Sequence, residues 1–429
     1  MTPGSQIPSS GVIQIDAAAV ADARAEFAPG SLLLDRSGGR TTVLAAGSPD
    51  EIGRSHPAPD ARIRLPNSTL IPGMVNAHTH LDLTHMGPLA HDPSHGLTPW
   101  LHKVVAGRVH EPDEIADSVR QGIAKSLAGG VVAVGDIAGW TDHGPTLTPH
   151  RALAESRVVG TSYVEFFAIG PSEARRMEIM RAFMADHAAA FRDALASDTR
   201  LGLTPHAPYT VTRAAYDTCI EFARDFPLTT HLAESHAERE FIAAARGPKR
   251  DLLEAMNLWS ESVAADIGVG AHPIEHLAPV LARAPWLVAH VNDADDAGIA
   301  TLARTGTSVA YCPRSSAYFG ADAEFGPHRY RDMLAAGVNV CLGTDSIVNL
   351  NTPDRIAVLD EMRLLVNRDG LDPATALAMG TTHGARALGL NPDAFTFDPG
   401  VELGGLVAID DAPTLAAALS GSSAFRLLC

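Results

Sequence analysis

The run Thr69-Leu70-Ile71-Pro72-Gly73-Met74-Val75 leads into Asn76-Ala77-His78-Thr79-His80, an apolar strand that ends on two imidazoles. The arrangement recurs along the chain. Leu228-Thr229-Thr230 leads to His231, with Glu234 three residues on, and Trp286-Leu287-Val288-Ala289 leads to His290. Val338-Asn339-Val340-Cys341-Leu342-Gly343 leads through Thr344 to Asp345. Parallel strands that present imidazoles and a carboxylate at one rim build a divalent metal site with an open coordination position. Such a site activates water.

Outward from these motifs, residues 69–390 alternate between apolar strands and helical stretches. Strands are expected at 131–134, 158–167, 200–204, 228–231, 286–290, 307–311 and 338–342. Helical stretches are expected at 111–127, 174–195, 213–224 and 353–366. With the strand before His78, that makes eight β/α units, and eight close into a barrel. The predicted fold is α/β, a (β/α)8 TIM barrel over 69–390. The chain ends, 1–68 and 391–429, carry short strands at 11–15, 31–34, 41–45 and 400–409, separated by Gly, Pro, Ser and Asp clusters. They are expected to pair into one small β-sandwich domain.

The chain has 429 residues, ample for a large core, with 33 basic against 50 acidic residues and a net charge of −17. That field repels phosphate backbones and anionic bilayers, so neither a nucleic-acid nor a membrane partner is expected. No window holds the roughly 18 consecutive apolar residues a membrane helix needs. The opening Met1-Thr2-Pro3-Gly4-Ser5-Gln6-Ile7-Pro8 lacks the basic and apolar stretches of a secretory signal, so a cytoplasmic location is expected. Cys219, Cys312, Cys341 and Cys429 are scattered, which fits reduced thiols rather than a disulfide framework.

Each site residue has a plainer reading. His78 and His80, two apart on an extended segment, face the same way, yet among 19 histidines one H-x-H is weak evidence. Glu234, on the turn into the next helix, suits general acid–base work on a nearby water. An acidic residue there also favours a helix N-terminus, a reading that competes more strongly for Glu238 and Glu240. His290 alone reads equally as a buried histidine satisfied by a carbonyl, and Asp345 as a helix N-cap. Their joint appearance, in order, on four strand ends points to a metal centre.

Taken together the motifs resemble the amidohydrolase superfamily over nearly the whole chain. The stretch from Pro72 to His80 looks like its first-strand motif and Leu342-Gly343-Thr344-Asp345 like its last. His206-Ala207-Pro208-Tyr209-Thr210 and His231-Leu232-Ala233-Glu234-Ser235 resemble the branch acting on purine-like rings, with S-adenosylhomocysteine, guanine and aminodeoxyfutalosine deaminases and the triazine hydrolases. Glu238-Arg239-Glu240-Phe241 and Tyr311-Cys312-Pro313-Arg314-Ser315 look most like the aminodeoxyfutalosine deaminases. The closing Gly404-Gly405-Leu406-Val407-Ala408-Ile409-Asp410 departs from the pattern, lacking the usual Lys-Ala-Asp.

The resemblance implies that His78, His80, His231 and Asp345 bind one metal ion. It also implies that Glu234 shuttles protons, His290 orients the water and the nascent oxyanion, and His206 contacts substrate. Binuclear relatives usually bridge their metals with a carboxylated lysine. Of the three lysines here, Lys103 and Lys125 fall in helical stretches and Lys249 in an expected loop, so a mononuclear site follows. Zinc suits this N/O donor set, with iron as the alternative.

The expected activity is hydrolytic deamination of an aminated purine-like heterocycle, an adenosine-type nucleoside such as aminodeoxyfutalosine. The alternatives are displacement of chloride or an alkylamine from a heterocycle, and a catalytically silent binding homologue. The Cys-x-x-Cys of zinc cytidine deaminases is absent. Substrate contacts are expected from Asp82, His85, Trp100 over an aromatic ring, and Arg314 against a carboxylate. For Trp100 the plainer reading is helix packing, and for Arg314 a partner for neighbouring acidic groups. The resemblance also implies a homo-oligomer.

Overall fold

A computed structural model describes residues 7–95 and 97–429. The opening Met1–Gln6, read above for a secretory signal, lies outside them. The first strands are β1 (Val12–Ala21), β2 (Glu26–Phe27), β3 (Gly30–Asp35), β4 (Thr42–Gly47) and β5 (Ala61–Pro72). The barrel strands follow: β6 (Met74–Thr79), β7 (Val131–Ala138), β8 (Val159–Phe166), β9 (Thr199–Pro205), β10 (Leu228–Leu232), β11 (Trp286–His290), β12 (Ser308–Tyr311) and β13 (Val340–Leu342). Two more, β14 (Leu406–Ile409) and β15 (Phe425–Leu427), end the chain.

The strands of both chain ends form one seven-stranded sheet in the order β15-β14-β5-β1-β3-β4, with β2 on β1. Alternation explains it. In the first half of β5 half-buried residues alternate with exposed ones, and in β4 buried residues alternate with half-buried ones, the period of a strand with two unlike faces. Ile13, Ile15, Leu32, Leu34 and Val43 pack with Leu406 and Ala408, while Leu33 and Ala45 on the other face cover Ile52 of the helix Pro49–Ser55.

The second sheet has eight strands in the order β13 to β6, with helices between successive strands. It is a parallel, nearly closed (β/α)8 barrel. Strands buried on both faces read as near-continuous apolar runs, as β7 does apart from Asp136. The sheet closes where β6 meets the residues after β13: the Thr344 and Asp345 N–H groups donate to the His78 carbonyl at 3.1 and 3.0 Å.

Three expectations change. The run 69–75 is two strands, not one. Gly73 divides it, because a Cβ there would lie 2.7 Å from Val132 and 3.1 Å from the Gly405 backbone. The residues before Gly73 belong to β5 in the end sheet and those after it to β6, so a boundary at 68/69 cuts through a continuous strand. The stretch 174–195 is two helices, Glu173–Asp186 and Ala188–Ala194, broken at His187, whose ring packs edge-on against Phe183. The helix expected from 353 begins only at Val358, since the Ile356 N–H is taken by the Lys125 carbonyl.

Contacts gather Met1–Asn76, Ala124–Ala133 and Asp354–Cys429 into one compact unit, and Ala77–Ile123 and Val134–Pro353 into the other. The first holds the end sheet. The second holds the barrel rim and every candidate site residue. Among the described residues no helix is long and apolar enough to cross a membrane, and Cys219 and Cys341 are buried thiols.

Candidate active site

The rim residues come from five strand ends, and several of them need unusual backbone. Ala233, His290, Val291 and Asp345 have φ of 53°, 72°, 54° and 57°, a region non-glycine residues seldom enter. Such conformations persist where the surroundings over-determine them. At His290 the carbonyl accepts from His328 Nε2 at 3.0 Å, and the Val291 N–H donates to the Leu232 carbonyl at 3.0 Å.

His78, His80, His231, His290 and Asp345 converge. The donor atoms of His78, His80 and Asp345 lie within 4.8 Å of one another, and so do those of His78, His231 and His290. The His78 ring centroid is 5.2, 5.0 and 5.4 Å from those of His80, His231 and His290. Asp345 Oδ1 stands 3.9 Å from His78 Nε2 and 3.6 Å from His80 Nε2, wider than a hydrogen bond. Donors at that spacing are arranged to share a cation rather than a proton.

The donor chemistry fits a divalent ion. Burial, with neighbouring imidazoles adding to it, holds His78, His80 and His206 well below the usual histidine range. His231 is lowered too, by burial and then by His290. Neutral rings have lone pairs to give. His231 Nδ1 lies 2.9 Å from the His206 carbonyl, which can only accept, so this nitrogen carries the proton and Nε2 is free to bind metal. Both ring nitrogens of His78 and Nδ1 of His80 are buried without a hydrogen-bond partner. Such orphans call for a partner the protein itself does not supply. Asp345 is held in place: Oδ2 accepts from Ser315 Oγ and Asn349 Nδ2, each at 2.7 Å, and Oδ1 from the Ser346 N–H at 2.8 Å.

Glu234 faces His290 across 3.7 Å, Oε1 to Nε2. Burial works to raise its carboxyl, but His290, His231 and Lys249 outweigh it and hold the group below its ordinary value. The loop carrying it is clamped. Glu238, fully buried on the helix His236–Ala244, accepts the Ala233 and Glu234 N–H groups at 2.9 Å each, and Asn292 Nδ2 donates to the Glu234 carbonyl at 3.0 Å. Burial pushes the Glu238 carboxyl up to about 7 against the pull of those two N–H groups. Since both oxygens accept, this geometry is that of the carboxylate.

His206 follows β9. Its Nδ1 is 2.7 Å from Thr210 Oγ1, and its ring centroid lies 4.9 Å from His231 and 4.9 Å from Phe167. Trp100 and Arg314 are engaged elsewhere. The Trp100 ring meets Phe319 edge-on at 5.0 Å, and Arg314 donates to Thr352 Oγ1 at 3.1 Å. His85 spans Ser118 Oγ at 3.0 Å and the Gly107 carbonyl at 2.9 Å. Asp82 Oδ2 accepts from Arg108 at 2.7 Å and from the Gly139 N–H at 3.3 Å. Lys249, expected in a loop, sits in the first turn of the helix Pro248–Ala255. It is buried, with Nζ 3.7 Å from the centre of the Tyr209 ring.

Two further residues were missed. Glu165 in β8 and Asp136 in β7 are buried carboxyls, pushed up by burial to about 7 and about 8. The available signal was an acid inside a wholly apolar run, Tyr163-Val164-Glu165-Phe166 and Ala133-Val134-Gly135-Asp136-Ile137.

Comparison with known proteins agrees with this geometry. The chain is 30% identical over 365 residues to an aminodeoxyfutalosine deaminase of Deinococcus radiodurans, covering 81% of this chain and 79% of that one. It is 29% identical to a 5'-deoxyadenosine deaminase of Methanoregula boonei, covering 76% and 68% of the two chains. In fold it is similar to the crystal structure of a zinc-bound adenosine deaminase from Xanthomonas campestris, with a TM-score of 0.70, 24% identity and coverage of 94% and 86%. Residues 69–411 match the Amidohydrolase family, and with the histidine and aspartate rim on an eight-stranded barrel the chain belongs to that family.

Proposed function

We propose that Glu234 carries protons in a metal-dependent hydrolytic deamination, with His78, His80, His231 and Asp345 holding one ion. The chain is a hydrolase acting on C–N bonds, and its substrates are adenosine-like. The observation that carries the mechanism is Glu234 beside His290, next to a buried cluster of neutral imidazoles and a fixed carboxylate. A divalent ion, zinc by the donor set, supplies Lewis acidity that makes water a nucleophile at neutral pH.

The chain's residues divide the remaining work. Held below its ordinary value, Glu234 rests as a carboxylate. It therefore first takes a proton from the attacking water and then delivers it to the ring nitrogen beside the amino-bearing carbon. The C–O bond forms as that ring nitrogen is protonated, and His290 stabilises the oxyanion that develops. Asp345 takes the second water proton. Its transfer to the amino group lets the C–N bond break and ammonia leave. His206, from the neighbouring strand end, contacts the heterocycle.

An ammonia-coupled screen of adenosine, 5'-deoxyadenosine and aminodeoxyfutalosine, with metal content measured on the same batch, tests this reading. Aminodeoxyfutalosine is the first choice because the Deinococcus relative carries that name. Glu234→Gln is expected to keep its metal and lose about 10²- to 10⁴-fold in kcat. Release of chloride or alkylamine but never ammonia from a heterocycle panel, or wild-type turnover by this variant, sinks the proposal.

A further inference from the structure

We infer that Glu165 reads a hydrogen-bond donor on the substrate, so that the β8 end of the rim is a donor-recognising subsite. The inference rests on the deaminase reading above and deepens it by naming what a substrate must present there.

Glu165 lies near the C-terminal end of β8 and is 3% exposed. A carboxylate oxygen comes within 4.8 Å of ring nitrogens of both His206 and His231, so it adjoins the candidate metal cluster. Oε1 is buried with no hydrogen-bond partner. Buried acceptors in folded proteins are almost always satisfied, and one left open beside a catalytic cluster is satisfied by what binds there.

Its neighbours make hydrogen bonds elsewhere. His231 Nδ1 is committed to the His206 carbonyl, and His206 Nδ1 is 2.7 Å from Thr210 Oγ1. Arg108, the nearby guanidinium, is held by Asp82 at 2.7 Å. Asp82 Oδ1 and Asp136 Oδ2 are likewise buried without donors. Three carboxyls against one guanidinium leave a surplus of acceptors on this side of the rim. Carboxyl oxygens left without donors accept from hydroxyl or N–H groups.

A second cation is the rival occupant, because Glu165, His206 and His231 form a donor trio. His231 has only Nε2 to offer, and that nitrogen belongs with His78 and His290. A second ion would have to dismantle the first site. A donor on the substrate needs no such exchange.

A nucleoside carries donors in two places, the ribose hydroxyls and the exocyclic amine. The probes are adenosine, 2'-deoxyadenosine, 3'-deoxyadenosine and purine riboside, which lacks the amine. Binding is measured calorimetrically in metal-loaded protein carrying Glu234→Gln, with and without Glu165→Ala, and ammonia release in metal-loaded protein with native Glu234. Adenosine binding is expected to weaken about 10- to 100-fold in Glu165→Ala, as for loss of a hydrogen bond to a charged group. Glu165→Gln, which keeps one acceptor oxygen and the side-chain volume, is expected to lose less. The analogue lacking the recognised donor should bind both proteins alike and so identify it. Equal weakening of all four probes, or of none, overturns the inference. If neither these probes nor 5'-deoxyadenosine nor aminodeoxyfutalosine releases ammonia but the binding pattern holds, the deaminase reading falls and the subsite stands. If ammonia is released and the pattern fails, the reverse is true.

Discussion

Glu238→Gln isolates the clamp that aims Glu234. In the native protein each carboxylate oxygen of Glu238 accepts one backbone N–H, from Ala233 and from Glu234, both at 2.9 Å and both out of water. Glutamine has nearly the same volume but only one acceptor oxygen, and its NH₂ must then face a backbone N–H. One buried donor is left without a partner, at about 1–3 kcal/mol. The left-handed turn at Ala233, φ 53°, is costly by itself and relies on the same clamp. At about 2–4 °C per kcal/mol for 150–250 residues, and less per kcal/mol in a longer chain, the melting temperature should fall by a few degrees. Activity should fall further than stability explains. A displacement of about 1 Å at a reacting group costs about 10²-fold, so kcat is expected to drop about that much while bound metal is unchanged. Calorimetry, steady-state ammonia release and metal analysis on one preparation read all three. Wild-type kcat in folded, metal-loaded Glu238→Gln would refute the reasoning, because Glu234 would then be placed without the clamp.

Two further predictions concern the barrel. Gly160 in β8 has φ 131°, and a Cβ there would lie 2.0 Å from the Val134 carbonyl oxygen of β7, so Gly160→Ala must push β7 and β8 apart. A loss above about 3 kcal/mol is expected, in the range of severe steric substitutions, and denaturant titration checks it. Asp136 is fully buried and pushed up to about 8 by burial, with Asp82 adding to it and the Leu81 N–H opposing it. A carboxyl raised in the fold contributes stability that is complete below about pH 4 and lost as pH rises toward 8. The melting temperature of metal-free wild-type protein should therefore decline from pH 5 to 9, and Asp136→Asn should flatten the decline. Parallel curves for the two proteins would contradict that assignment.

Sequence alone determined the barrel and the rim positions of the candidate site's side chains. Apolar runs alternating with helical stretches specify a parallel sheet buried on both faces, and a polar residue at the end of such a run has only the rim to occupy. His78, His80, His231, His290 and Asp345 were legible for that reason. Tertiary structure decided what no local pattern encodes. Gly73 splits one apolar run between two sheets because of Val132 and Gly405, which are remote in the chain. Lys249 becomes a buried charge near Glu234 only because its helix packs there, and its burial beside Glu234 and Glu238 follows from that packing. Glu165 went unnoticed inside its apolar strand, and only the fold brings Arg108 near it and Asp82 near Asp136. Proton affinity and unmet hydrogen-bonding capacity depend on which groups are adjacent in space and on how much water is excluded, and neither follows from spacing along the chain.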